Sequence, residues 1–345
     1  MCWIDTLYWK IEDVEKDESM IAEAAKIILN GGIIAFPTET VYGLGANAFD
    51  KKAVQKIFLA KKRPADNPLI VHVSSIDMMN SVVDMNDNNM ASRLIERFWP
   101  GPLTLILAKK SAVPEEVSAG FNTVAVRMPD HPVALKLIEK SSVPIAAPSA
   151  NLSGKPSPTT AQHVLEDLRG SINGVIDAGE VKVGIESTVI DISVSPPVIL
   201  RVGAVTVEEI RGVIGDVTYE FDTAAAAPKS PGMKYRHYAP KAKVILIEGD
   251  VEKIRSRVLC EIKRYKDQKK TVGIFAGDDN ARYYSGVSVI NYGKRDDAKK
   301  AANMLYRALR RFDEIGVDVI LVEAVEESGI GIAVMDRIRK ASEKK

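Results

Sequence analysis

Apolar residues recur along the chain in two rhythms. Short stretches at Ile33-Ile34-Ala35-Phe36, 69–73, 103–108, 123–128, 145–148, 173–177, 187–192 and 197–201, apolar for most of their length, are too brief for helices and predict buried strands. Between them lies helical spacing. Ile21, Ala24, Ala25, Ile28 and Leu29 follow Ser19, a candidate cap, and stop at Gly31-Gly32. Val54, Ile57, Phe58 and Leu59 repeat the pattern from Asp50 to the residue before Pro64, where proline disfavours helical geometry. Further helices are predicted over 89–98 and 131–140, and over Val164, Leu165 and Leu168 behind a cap at Thr159 or Thr160. Several strands follow one another with no helix between them, so this α/β domain has a mixed rather than strictly parallel sheet.

The rhythm breaks from Gly212 to Pro240, where four alanines precede two prolines, a composition that reads as a linker. Beyond it, runs at 244–247, 271–275, 287–290 and 319–322 alternate with helical stretches near 250–265, 296–315 and 331–342, predicting a second, smaller α/β domain. The expected layout is a catalytic domain over 14–210, a linker or lid over 211–240 and a C-terminal domain over 241–345. Gly273 to Gly277 lacks the third glycine and helix start of a dinucleotide fingerprint.

Composition narrows the function. The 345 residues carry a formal charge of +1, which argues against a dedicated nucleic-acid binder. Residues 241–345 hold an excess of +6, leaving −5 for the rest, so weak RNA contact belongs to that third if anywhere. Two cysteines, Cys2 and Cys260, supply neither a disulfide framework nor a thiolate metal site, and suit a reducing compartment. Met1 to Glu18 has no continuous apolar core, and no apolar run reaches membrane-spanning length, so the expectation is a cytoplasmic protein without membrane contact.

Candidate chemistry gathers at strand ends. Pro37-Thr38-Glu39-Thr40-Val41-Tyr42-Gly43-Leu44-Gly45 follows the first run and crowds two threonines, a carboxylate and a phenol into what reads as a sharp turn, its glycines admitting conformations closed to other residues. Lys61 and Arg63 flank the exit of a helix and can serve one anionic pocket, or simply complement the helix dipole. Ser149 and Asn151 offer a hydroxyl and an amide where a buried strand ends. His72, alone among apolar neighbours, reads first as a satisfied core residue. Arg127 and Arg201 each end an apolar strand, where an unpaired buried guanidinium is costly, so each needs an acidic partner or an anionic ligand; for Arg127 the ligand is favoured. The linker closes on Ser230 to Pro240, rich in groups that stack on bases and bind phosphate, and so reads as a lid.

Taken in order with Asn67-Pro68, Phe98-Trp99-Pro100-Gly101-Pro102, Val126-Arg127-Met128-Pro129, Ala147 to Gly154 and Glu186-Ser187-Thr188-Val189, these motifs resemble the Sua5/YrdC/YciO family, in its longer Sua5 type. The resemblance is dense over 14–205, clear through the linker and looser beyond. It implies a YrdC-like domain with a twisted mixed sheet and a smaller Rossmann-like Sua5 domain. The activity it implies is a nucleotidyltransferase reaction in which ATP, L-threonine and bicarbonate or CO2 give threonylcarbamoyl-AMP and pyrophosphate for t6A37 modification of tRNA. A downstream threonylcarbamoyl transferase would consume the product. By that resemblance Lys61, Arg63, Asn67, Thr123, Ser149, Asn151, Ser157, Arg201, Tyr235 and His237 contact ATP, with Lys61 and Arg63 stabilising charge during the reaction. Thr40, His72, Arg127, Ala147 and Ser187 hold threonine. Mg2+ would enter on the phosphates without dedicated side chains. The alternative is a double-stranded RNA-binding or ribosome-associated module of the same fold.

Overall fold

A computed structural model describes residues 4–85, 89–219 and 238–342. The described residues up to Tyr219, apart from Gly154–Pro156 and Val183–Ile185, form one compact unit; those two segments and the residues from Tyr238 form the other.

The first unit runs β1 (Leu7–Lys10), α1 (Glu18–Leu29), β2 (Ile34–Phe36), β3 (Gly43–Asn47), α2 (Lys51–Lys61), β4 (Ile70–His72), α3 (Ile76–Val82), β5 (Val83–Asp84), α4 (Asn89–Phe98), β6 (Leu103–Lys109), α5 (Glu115–Ser118), β7 (Thr123–Arg127), α6 (Pro132–Ser141), β8 (Ile145–Ala146), α7 (Ala161–Leu168), β9 (Gly174–Asp177), β10 (Thr188–Asp191), β11 (Val198–Arg201), α8 (Val207–Ile214) and β12 (Thr218–Tyr219). Its strands form one sheet in the order β1-β9-β2-β3-β8-β4-β7-β6-β10-β11-β12, with β5 paired to β6. The sheet is mixed: β4 runs parallel to β7, while β6 runs antiparallel to β7.

Local chemistry sets the helix limits. Asp50 accepts from Lys52 N and Ala53 N at the start of α2, and Lys62 closes that helix in the left-handed region at φ 52°. Thr160 caps α7, and Thr206 with Glu209 forms a capping box on α8. In α1 the buried face is Ile21, Ala24, Ala25 and Ile28, whereas Leu29 is exposed; the residue ahead of the helix is Asp17 rather than Ser19. Burying each of the two isoleucines contributes roughly 1.5–3 kcal/mol, and each alanine methyl less.

Strand alternation separates the two faces of the central sheet. Val71, Val124, Val126, Leu103, Leu105 and Leu107 point into the main core. The register places Ile70 opposite Ala125, His72 opposite Arg127, Ile106 opposite Ala125 and Val189 opposite Thr104, so these residues share the other face with Thr123. There Ile70, Ala125, Ile106 and Val189 make a small apolar floor of their own. Polar groups on the same strands surround it.

Further differences from the sequence reading concern this unit. Residues 43–47 are a strand, antiparallel to β2 and β8, and not part of a sharp turn. Gly43 and Gly45 are absent from the positive-φ glycines; what Gly45 supplies is space, since a Cβ there would meet Ile145 Cγ2 at 2.6 Å and Phe36 Cε1 at 2.8 Å. Residues 211–219, read as the start of a linker, carry the end of α8 and the edge strand β12.

The second unit contains β13 (Lys243–Ile247), α9 (Val251–Asp267), β14 (Val272–Ala276), α10 (Asp278–Ala281), β15 (Ser288–Asn291), α11 (Ala298–Ile315), β16 (Val319–Glu323) and α12 (Ile330–Ser342). Its four strands are all parallel, in the order β13-β16-β14-β15. Helices connect them, as an all-parallel sheet requires.

Candidate active site

The segment from Thr38 to Val41 is held by its own side chains. Thr38 Oγ1 accepts from Thr40 N at 3.2 Å and Val41 N at 3.3 Å and lies 2.7 Å from Val41 O, to which it donates. Thr40 Oγ1 lies 2.8 Å from Thr38 Oγ1 and accepts from Arg127 Nη1 at 3.1 Å. With Arg127 as an obligate donor, the hydroxyl protons align in one direction, from Arg127 through Thr40 and Thr38 to Val41 O. Arg127 Nε donates to Gly101 O at 3.2 Å, and Arg127 Nη2 lies 2.5 Å from Glu39 Oε2. Both charges are buried, at 3 % exposure each. Arg127 therefore has the acidic partner that the sequence reading set second to a ligand.

Lys61, at the end of α2, is 1 % exposed and donates to Ser149 O, to Asn151 O at 2.5 Å and to Asn151 Oδ1 at 3.4 Å. Ser149 Oγ in turn donates to Asn151 Oδ1 at 2.6 Å. The K-x-R and S-x-N motifs thus meet through Lys61. Arg63 is half-buried and closes the neighbouring loop, Nη2 donating to Asn67 O at 3.3 Å and Pro68 O at 3.2 Å. Asn67 is buried within that loop.

Arg201, at the end of β11, donates from Nε to Ser187 O and from Nη2 to Ser187 Oγ, both at 3.0 Å. Ser187 Oγ is also 2.8 Å from Thr104 Oγ1. Next to it in sequence, Glu186 accepts from Ser157 Oγ at 2.7 Å. Main-chain bonds tie these loops together: Tyr42 N to Pro158 O, Leu44 N to Pro148 O and Ala150 N to Tyr42 O, at 2.8–2.9 Å.

Ala147 is buried and joins β4 through its N–H to Ile70 O at 2.9 Å. Thr123 stands half-buried at the start of β7 on the face that carries Arg127. His72 faces Arg127 across the β4–β7 register, 4 % exposed, its Nδ1 3.2 Å from Ile70 O and its ring edge-on to Phe36. Burial, with the Arg127 charge alongside, lowers its pKa to about 3, so it is neutral at physiological pH. Tyr235 and His237 lie outside the described residues.

A family model described as "Telomere recombination", the Sua5, YciO and YrdC model, matches residues 26–203, and one described as "Threonylcarbamoyl-AMP synthase, C-terminal domain" matches 205–343. The chain belongs to the Sua5/YciO/YrdC family. Within that family it is 51 % identical to the threonylcarbamoyl-AMP synthase of Pyrococcus abyssi over 94 % of this chain and 95 % of that one. The Bacillus subtilis protein of the same name is 46 % identical over 96 % and 95 %. A crystal structure of P. abyssi Sua5 complexed with L-threonine superposes with a TM-score of 0.91 at 49 % identity, covering 98 % of this chain and 97 % of that one. E. coli YciO matches 57 % of this chain and 95 % of its own length, with a TM-score of 0.51 at 26 % identity.

Two groups in this Sua5-type site escaped the sequence reading. Glu39 was visible only as one polar residue of a crowded loop; the signal was the need of Arg127 for a buried counter-charge. His131 caps α6 with its backbone, and its Nδ1 is buried without a hydrogen-bond partner among the described residues. Burial lowers its pKa, and the charge of Glu39 opposes that shift. Among the described residues no group of three or more His, Cys, Asp or Glu could hold a metal ion.

Proposed function

We infer that this chain is a threonylcarbamoyl-AMP synthase, a nucleotidyltransferase that joins L-threonine, CO2 drawn from bicarbonate, and ATP. The observation that carries the reading is its likeness along nearly the whole chain to proteins of that name, including one solved with L-threonine. The buried cations Lys61, Arg127 and Arg201, held by loops that hydrogen-bond to one another, suit it.

The reaction brings two anions together. Threonine, as its free amine, adds to CO2 with loss of a proton, and a carbamate oxygen then attacks the α-phosphorus of ATP. The bond from that phosphorus to the bridging oxygen breaks, and pyrophosphate departs. Such transfers need fixed positive charge and alignment more than a strong base. In our reading Arg127 and Thr40 orient the threonine carboxylate, with His72, Ala147 and Ser187 around it. Lys61, Arg63 and Arg201 spread charge over the triphosphate, and Asn67, Thr123, Ser149, Asn151 and Ser157 fix its position. Mg2+ enters with ATP as part of the substrate, in keeping with its preference for water and phosphate oxygens. A cytoplasmic setting and delivery of the product to a tRNA-modifying transferase complete the proposal.

The test is pyrophosphate release. ATP, L-threonine and bicarbonate together should yield it, and omission of any one should abolish it. Equal release without threonine overturns the reading.

A further inference from the structure

One charged group in the site has a free position. Glu39 sits inside the Thr38–Val41 segment, which the Thr38 hydroxyl closes on itself through Thr40 N, Val41 N and Val41 O. Its Oε2 is in ion-pair contact with Arg127 Nη2 at 2.5 Å, without the alignment of a hydrogen bond, while its buried Oε1 has neither an ion-pair contact nor a hydrogen bond from any described residue. If neutralising Arg127 were its whole task, two parallel N–H groups of the guanidinium could occupy both carboxylate oxygens. Arg127 instead directs Nε to Gly101 O and Nη1 to Thr40 Oγ1, so a single nitrogen faces Glu39. A carboxylate oxygen buried without a donor is costly, and a ligand bearing N–H groups removes that cost.

The charges around Glu39 favour a cation at this oxygen. Arg127 on β7 meets the other oxygen, His72 on β4 is uncharged, and His131 at the head of α6 is biased towards neutrality by burial. Lys182 and Asp130 act on His131 with opposite sign. An α-amino acid zwitterion carries a carboxylate and an ammonium on adjacent atoms, and Arg127 with Glu39 presents the complementary pair side by side.

We propose that Glu39 Oε1 is the subsite for the ammonium group of the amino-acid substrate. This rests on the synthase reading and names how the site tells an amino acid from other small carboxylic acids. Glu39 holds the ammonium nitrogen beside the carboxylate grip of Arg127, and that nitrogen must release a proton before it adds to CO2.

The test compares L-threonine with 3-hydroxybutanoate, which keeps the carboxylate and the hydroxyl and has hydrogen in place of the amine. Calorimetry on the full chain in the presence of ATP should show wild type binding the analogue at least about 10-fold more weakly than threonine. Glu39→Gln should bind threonine roughly 10- to 150-fold more weakly than wild type, the scale of one charge-assisted hydrogen bond, with affinity for the analogue changed by less than about 3-fold. Equal losses for both ligands would assign Glu39 to positioning Arg127 alone and overturn the proposal. So would unchanged threonine affinity in Glu39→Gln, or a wild type that binds both ligands alike. Should Glu39→Gln show no thermal shift with ATP, Glu39→Asp, which keeps the counter-charge and withdraws it by one methylene, takes its place under the same criteria. A wild type that binds threonine yet releases no threonine-dependent pyrophosphate would sink the synthase reading and leave the comparison to judge Glu39 separately.

Discussion

Arg127 illustrates how one buried charge organises its neighbours. Three of its nitrogens serve three different groups, an arrangement that the planar guanidinium allows and a lysine ammonium does not reproduce. Arg127→Lys should therefore keep the fold but raise the threonine KM at least about 10-fold, read from pyrophosphate release, because a lost charge-assisted bond costs about 1.5 to 3 kcal/mol. His72 gives a pH signature. Its pKa falls from the ordinary 6.5 when unfolded to about 3 when folded, so the unfolded chain binds the extra proton first. Its contribution is complete above pH 6.5 and declines as pH falls towards 3. Between pH 7 and pH 5 wild type should lose about 2 kcal/mol more stability than His72→Gln in urea unfolding, at roughly 1.4 kcal/mol per pH unit. Sequence alone made Arg127 and His72 candidates because polar groups stand out in apolar strands. It could not rank Glu39, whose importance comes from a residue far along the chain folding against it.

At the scale of elements, most strands and helices were legible because short apolar-rich stretches and helical spacing are local signals. The strand β3 was not, since Gly43-Leu44-Gly45-Ala46-Asn47 has low strand propensity, and the close packing that leaves no room for a side chain at Gly45 comes from residues distant in sequence. That packing is testable. Gly45→Ala drives a methyl into Ile145 and Phe36, both fully buried, and should cost about 1–3 kcal/mol in chemical denaturation. Gly43→Ala meets Ala147 and Phe36 at an ordinary 3.4 Å and should change stability by no more than about 0.5 kcal/mol. The strand β1 was missed for another reason. Leu7, Tyr8 and Lys10 are exposed, which leaves Trp9 as its one buried residue and too little pattern to read. Residues 211–219 were read as linker because short edge elements resemble turns in composition.

For the whole molecule, the described residues make two compact units with separate sheets, and none of their helices is long and apolar enough to cross a membrane. Binding should raise the Tm in a graded way. ATP or threonine at a hundred times its Kd adds about 2.7 kcal/mol of stability, and a thermal-shift titration of each, alone and together, reads this directly. The +6 excess over residues 241–345 makes a different prediction for RNA. Any tRNA affinity should fall steeply between 50 and 200 mM salt and ignore threonine, as counter-ion release dictates; a salt-independent complex would point to specific recognition instead. The links Tyr42 N to Pro158 O, Leu44 N to Pro148 O and Ala150 N to Tyr42 O run from peptide to peptide. Apart from proline at the donor positions, exchanging side chains leaves these groups in place. Those three links therefore outlast a change of the side chains they carry, whereas the ties made by Thr38, Lys61 and Arg63 would be lost with the residue.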